Sequence, residues 1–367
     1  MSNTVEIDLV HKVLGDAKIQ TAKHRLSVAI IGAGIGGLAT ATALSQVGIE
    51  VQVYEQASKF SRIGAGIQQS PNAMKVLRRL GLEPRLRSFA FAPSSWINRE
   101  WNTGTITNNY QFDGIAEERF GAPYLLLHRG DLHAALAAIV PSTIIHLGQR
   151  LCALKPNGGG VSLFFADGAS SKADAVIGAD GVHSVVREIL LGADQPRFTG
   201  RVAYRTTFPA ALLDGLTIDD SAKWWGPDRH IVMYYVNCHR DEVYFVTSTP
   251  EPDFEVESWS AKGDLKVLRQ AYAEFHPTVR AVLAACPDVH KWALVERDPL
   301  PRWSDGRVTL LGDACHPMMP YMAQGAATAL EDAAILSRCL AGIDADGVAE
   351  AFHRYESTRK SGPRAFN

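Results

Sequence analysis

The stretch Ser27-Val-Ala-Ile-Ile-Gly-Ala-Gly-Ile-Gly-Gly-Leu-Ala-Thr constrains this chain more than any other. An apolar run of strand character enters a turn with glycines at 32, 34 and 37, an alanine-rich helix follows, and a second apolar strand, Val51-Gln-Val-Tyr-Glu55, ends in a carboxylate. Each piece has a mechanical reason. Gly32 permits the tight turn, Gly34 lets the backbone approach phosphates, Gly37 lets helix and strand pack closely, and Glu55 is placed to accept from a ribose hydroxyl. The helix N-terminus at Ile35 and Gly36 turns unpaired N–H groups and partial positive charge toward a pyrophosphate. Glycine-rich turns are common, but strand, turn, helix, strand and acid in this order form a specific dinucleotide signature. The acid repels a 2′-phosphate, so FAD or NAD fits this site better than NADP.

A chain of 367 residues suits two domains of ordinary size. A net charge of −2, with no basic cluster interleaved with aromatics, gives nucleic-acid binding no support. The five cysteines, at 152, 238, 286, 315 and 339, are widely spaced and contain no C-x-x-C, as in reduced cytosolic proteins. No metal-site signature is present, and His128 and His133 read as structural. Residues 1–24 mix charged and apolar positions and read as a polar leader rather than a secretory signal. The apolar stretch 26–47 is broken by the glycine turn, which argues against a membrane span. These readings predict a cytoplasmic protein without nucleic-acid or membrane partners.

Further along, an amphipathic helix is expected from Ala73 to Leu80, closed by Gly81, with Met74, Leu77 and Leu80 in the core. Residues 91–124 lack helical period and read as exposed strands and loops. Tyr124 to Leu136 returns to strand and helix, with Asp131 as candidate cap. Residues 173–184 form a buried strand ending in the polar turn Gly178-Ala-Asp180-Gly181. From 200 to about 291 the pattern is β-rich, with strong strands at 231–235 and 242–247 and a helix near 265–275. Arg307-Val-Thr-Leu-Leu-Gly-Asp313 is a strand ending at an acid, and Gln324-Gly325 opens a helix. The expected organisation is a discontinuous nucleotide-binding domain (25–96, 126–199, 298–345), a β-rich substrate domain (97–125, 200–297) and a C-terminal helical segment (346–367).

The glycine turn with Glu55, the turn at 178–181 and Gly312-Asp313 are all polar turns at the ends of buried strands, which gather at one edge of an open α/β sheet. At this point the sequence resembles the FAD-dependent aromatic hydroxylases, the group that includes p-hydroxybenzoate, salicylate and 6-hydroxynicotinate hydroxylases, with the last the nearest in look. The likeness runs over roughly residues 26–360 and is carried by Tyr54-Glu-Gln-Ala57, Gly64-Ala-Gly-Ile67, His128-Arg-Gly-Asp131-Leu-His133, Lys223-Trp-Trp225 with Asp228-Arg-His230, Tyr234-Tyr235, Leu311-Gly-Asp-Ala-Cys-His-Pro-Met318 and Met322-Ala-Gln-Gly325. It implies an α/β fold: a Rossmann-like FAD-binding domain of the p-hydroxybenzoate hydroxylase type with an inserted β-sheet substrate domain.

It further implies that Glu55 binds the adenosine ribose, that Arg62 and Arg129 lie along FAD, that Asp180 sits near the pyrophosphate and the nicotinamide route, and that Asp313 binds the ribityl chain. The loop from Pro320 through Ala323, Gln324 and Gly325 would present backbone N–H groups to the flavin ring. The helix starting at Gly325 supports this independently, since its N-terminal partial charge suits a reduced, anionic flavin. The reaction implied is reduction of FAD by NADH or NADPH, uptake of O2 at flavin C4a, and attack of the hydroperoxide oxygen on an activated aromatic acid, with or without loss of CO2. Activation requires a base or relay for a ring hydroxyl proton. His230 with Tyr234 is the preferred pair, because residues four apart on a strand share a face. Gln68, Tyr204, Arg205 and Tyr321 are the expected substrate-binding residues.

This sequence departs from the 6-hydroxynicotinate hydroxylases at Gln68 and Tyr321, where they carry histidines. It also stops at Asn367, where the family usually continues, which raises the expectation of a truncated or weakened enzyme. Monomer and homodimer both remain open. A non-catalytic FAD-binding or regulatory homologue, and a dehydrogenase holding NAD in the glycine site, are the competing readings.

Overall fold

The computed structural model describes residues 25–62, 65–254 and 261–361, so the expected leader lies outside the described residues. The strand Ser27–Ile31 sits inside a six-stranded sheet. Parallel neighbours Glu50–Glu55 and Ala175–Gly178 flank it, Ile145–Leu147 and Val308–Leu310 lie further out, and the short Ser304–Asp305 closes one edge antiparallel. Val28 to Ile31 are buried, which is why the strand reads as an unbroken apolar run. The antiparallel three-stranded sheet of Leu151–Pro156, Val161–Phe165 and Ser170–Ala173 packs on the parallel sheet as well, with the Phe165 ring 4.7 Å from that of Tyr54. The helix Ile35–Gln46 packs on this sheet together with Gly325–Leu340.

A second, eight-stranded sheet has Arg197–Pro209, Glu242–Pro250, His230–Tyr235 and Ser221–Trp225 at its centre, and Ser95–Glu100 with Ile106–Gln111 at one edge. Its strands begin at Ser95 and Arg197, two and three residues ahead of the expected boundaries. One face is covered by the helices Leu265–Ala271 and Pro277–Ala285, through Leu268, Tyr272, Val279 and Val282. The second of these helices was not expected from the β-rich pattern. The other face looks back at the nucleotide-binding domain across the short ribbon of Gly66–Gln69 paired with Leu125–His128. There the backbone of Gly66 lies so close to Tyr234 and Tyr244 that a Cβ would come within 2.7 and 2.4 Å of their rings.

Two local expectations change. The helix Arg129–Ala137 is capped by His128, whose Nδ1 accepts from the Gly130 N–H at 3.0 Å, whereas Asp131 turns to Arg62. Between 91 and 124 a short helix, Ile115–Phe120, follows the two strands. The C-terminal helix Val348–Ser361 packs into the first domain: Phe352 and Tyr355 are fully buried in its core beside Trp303 and Leu310.

Candidate active site between the nucleotide domain and the second sheet

The glycine turn is shaped by contact distances. A Cβ on Gly37 would lie 2.0 Å from the Gly32 carbonyl oxygen, and one on Gly32, at φ +100°, would lie 2.4 Å from the Ala179 oxygen. Gly34 differs, because a Cβ there would meet nothing within 4 Å. It borders a cleft whose walls include Glu55, Gln149, Arg150 and Asp180. The Glu55 carboxylate accepts from the Ala33 and Ala57 N–H groups, each at 2.8 Å, and is thereby fixed at the cleft wall with lone pairs to spare. His133 completes the turn by bonding the Ala33 oxygen at 2.7 Å.

Outside the lining of this cleft, Arg129 and Asp313 are both solvent-exposed. Among the described residues neither makes a side-chain hydrogen bond. Surrounding protein pushes the Arg129 pKa down and that of Asp313 up, and their mutual attraction opposes both shifts. Asp313 Oδ1 lies 3.9 Å from where a Cβ on Gly325 would stand, beside the N-terminus of the 16-residue helix Gly325–Leu340. Just before that helix Ala323 adopts φ +51° and Gln324 bonds Ser70 and Asn72. Open space at Gly34, an oriented acid at 55, two unsatisfied charges and a helix N-terminus suit an extended, anionic dinucleotide such as FAD.

Strand register defines the opposing wall. Side chains paired across neighbouring strands share a face, so the face toward the nucleotide domain carries three rows. The first holds Trp225, His230 and Ser248; the second Lys223, Val232, Val246 and Arg205; the third Ser221, Tyr234, Tyr244 and Thr207. The nucleotide domain touches the first row through Tyr321, which lies edge-on to His230 at 5.6 Å and 3.3 Å from the Ser248 hydroxyl. It touches the third through Gln68, which accepts from the Tyr124 hydroxyl and lies beside Tyr234, whose pKa it acts to lower. The second row, with its apolar floor of Val232 and Val246, lies between these two contacts.

This register corrects several expectations. Tyr204 turns to the opposite, helix-covered face, where its hydroxyl donates to Glu251 at 2.6 Å; its neighbour Arg205 faces the nucleotide domain, stacked 3.6 Å over Trp292. His230 and Tyr234 do share a face, but they stand two rows apart, roughly 13 Å along the strand, so no direct relay joins them. Burial, reinforced by Lys223 and Arg201, pushes the His230 pKa down to about 3 and favours its neutral form. Burial drives the Tyr234 hydroxyl well above its ordinary value, with Gln68 opposing the rise.

Arg62 is engaged with Asp131 and Glu242, each at 2.8 Å, and so bridges the two domains. Asp180 lines the cleft, but its carboxylate is occupied by the Ser184 hydroxyl at 2.5 Å and the Val186 N–H at 3.1 Å, capping the helix Val185–Leu191.

Behind the Gly312-Asp313 turn lies a network that the sequence did not disclose. Asp332, fully buried, accepts from the Gly312 N–H at 3.0 Å, His316 Nε2 at 2.6 Å and Arg359 Nε at 2.6 Å. Cys315, His316 and Asp332 stand within metal-ligand reach of one another, but the Asp332 oxygens are already taken by these three donors. The ensemble is an ion network that fixes the Asp313 loop.

Fold and site together define a dinucleotide-binding oxidoreductase whose substrate chamber lies between a Rossmann-like domain and a β-sheet. The family described as FAD binding domain matches residues 25–366, and the chain belongs to it. It is 47% identical over 336 residues to 6-hydroxynicotinate 3-monooxygenase of Bordetella bronchiseptica, covering 90% of this chain and 87% of that protein. Identity to the enzyme of the same name from Pseudomonas fluorescens is 45%, over 90% of this chain and 87% of that one. Among solved structures, Klebsiella pneumoniae HpxO complexed with FAD and uric acid superimposes with a TM-score of 0.81 at 28% identity, over 91% of this chain and 84% of that one. This chain is an FAD-dependent aromatic monooxygenase that takes electrons from NAD(P)H.

Proposed function

We propose that the protein hydroxylates a hydroxy-substituted aromatic or pyridine carboxylate, in the cytoplasm, with NADH or NADPH docking transiently and O2 as co-substrate. Bound FAD supplies the redox and oxygen chemistry. The chain itself holds the cofactor through Glu55, Arg129, Asp313 and the loop Ala323–Gly325, and seats the ring. The observation that carries this reading is the apolar floor of Val232 and Val246, flanked by His230 with Tyr321 on one side and Tyr234 with Gln68 on the other, opposite the helix that begins at Gly325.

Such a chamber excludes water around a ring-sized ligand and offers polar groups only at its rim. Gln68 accepts from Tyr124 through its oxygen, and its lowering effect on the Tyr234 pKa fits an amide N–H donated to the Tyr234 oxygen. Tyr234 then accepts from Gln68 and keeps its own O–H for the substrate. In this arrangement Tyr234 orients and stabilises a ring oxygen, while His230, held neutral, serves as a hydrogen-bond partner. His230 therefore replaces the expected base with a positioning role.

The test is a panel of hydroxypyridine carboxylates and hydroxybenzoates given to the flavin-loaded enzyme, reading NADH and NADPH oxidation together with hydroxylated product. At least one member should stimulate oxidation and emerge hydroxylated. Absence of stimulated oxidation across the panel contradicts the reading.

A further inference from the structure

Lys223 is the charged residue of the substrate-facing rows for which neither site nor fold has yet given a reason. It is 6% exposed, and among the described residues its ammonium makes no hydrogen bond or ion pair. The ammonium lies over the face of Trp225, 3.8 Å from the ring centroid. A buried ammonium without a counterion is costly, and such a group is retained where a ligand supplies the missing charge.

The neighbouring cations are already engaged. Arg201 is held by the Ser248 hydroxyl and the Asp228 oxygen, Arg205 lies flat on Trp292, and Arg62 is bound to Asp131 and Glu242. Lys223 also has the right place: it stands next to Val232 in the middle row, at the end of the apolar floor, and one row from His230.

Resting on the hydroxylase reading above, we propose that Lys223 receives the carboxylate of the aromatic acid and makes this chamber selective for acids over the same rings without a carboxylate. An ammonium has three donors; the indole face covers one side and leaves the others for an anion lying on Val232. The half-exposed Trp225 then forms the outer wall over the bound carboxylate.

The test compares wild type, K223M and K223R as flavin-loaded enzymes. The probes are 6-hydroxypyridine-3-carboxylate and 3-hydroxybenzoate, each beside its carboxylate-free counterpart, 2-hydroxypyridine or phenol; the readouts are Kd from flavin spectral perturbation and KM against kcat. The K223M variant should raise Kd and KM for the acids roughly 10- to 100-fold, leave kcat within a few-fold, and leave the carboxylate-free rings unchanged. K223R should recover part of the loss. Methionine fills the same volume without charge, so folding is preserved and the melting temperature should not fall. Equal losses for acids and carboxylate-free rings, or unchanged binding of the acids, overturn the inference while the hydroxylase reading stands. A wild type that binds and converts none of the four overturns both.

Discussion

His230 and Lys223 stand one row apart on the same sheet face, and burial pushes both toward their neutral forms, to about 3 and about 8 respectively. For Lys223 the sign runs against stability at neutral pH. The unfolded chain holds its proton up to about 10.5, the folded one releases it near 8, and stability therefore rises as pH climbs through that window. Removing the amine should make K223M more stable than wild type at pH 7 by roughly 1–3 kcal/mol, and the difference should shrink as the pH approaches 10, where the folded chain has already released the proton and no longer buries a charge. Urea titrations at pH 7 and pH 10 measure it; a variant less stable than wild type at pH 7 means the ammonium has a partner in the fold. Tyr234→Phe should keep its flavin and lose roughly 10- to 100-fold in kcat, because on the proposed reading it removes the O–H that orients the substrate; unchanged turnover would take Tyr234 out of the mechanism. At this scale Gly32, Gly34, Gly37 and Glu55 could be read from sequence because their geometry is local to one turn. Tyr204 and Arg205 could not be told apart, since adjacent strand residues alternate and only register decides which one meets the ligand.

Among elements, the C-terminal helix Val348–Ser361 has the least obvious role in the sequence and a central one in the structure. Arg359 reaches back to Asp332, which in turn holds His316 and the Gly312 N–H behind the Asp313 turn. Burial alone opposes charge on His316, yet the negative groups beside it hold it protonated well above its ordinary range, so the network carries its charges in pairs. Arg359→Ala leaves Asp332 short of one cation in a dry site and should cost about 3–5 kcal/mol. Urea denaturation with flavin release checks this, and a loss under 1 kcal/mol contradicts it. Asp332 lies 16 residues beyond His316 and Arg359 lies 27 beyond Asp332. Neither partnership follows a helical or strand period, so pattern reading had nothing to detect. The helix Gly325–Leu340, in contrast, was legible from its Gln-Gly opening and its alanine-rich run.

At the scale of the molecule, two apolar cores stand on either side of the ribbon Gly66–Gln69 and Leu125–His128, and the proposed chamber lies where they meet. Arg62 ties the two bodies through Asp131 and Glu242. Being half-exposed, this bridge sets orientation more than stability. The account as a whole claims that a ring placed on Val232 and Val246 takes up an oxygen atom from O2 at the flavin edge. The direct measurement is turnover of the flavin-loaded enzyme under 18O2 with the aromatic acid that best stimulates NAD(P)H oxidation, followed by mass analysis of the product. The account predicts a product carrying one atom of 18O. A product without label, or NAD(P)H consumed with hydrogen peroxide as the sole outcome, would contradict it.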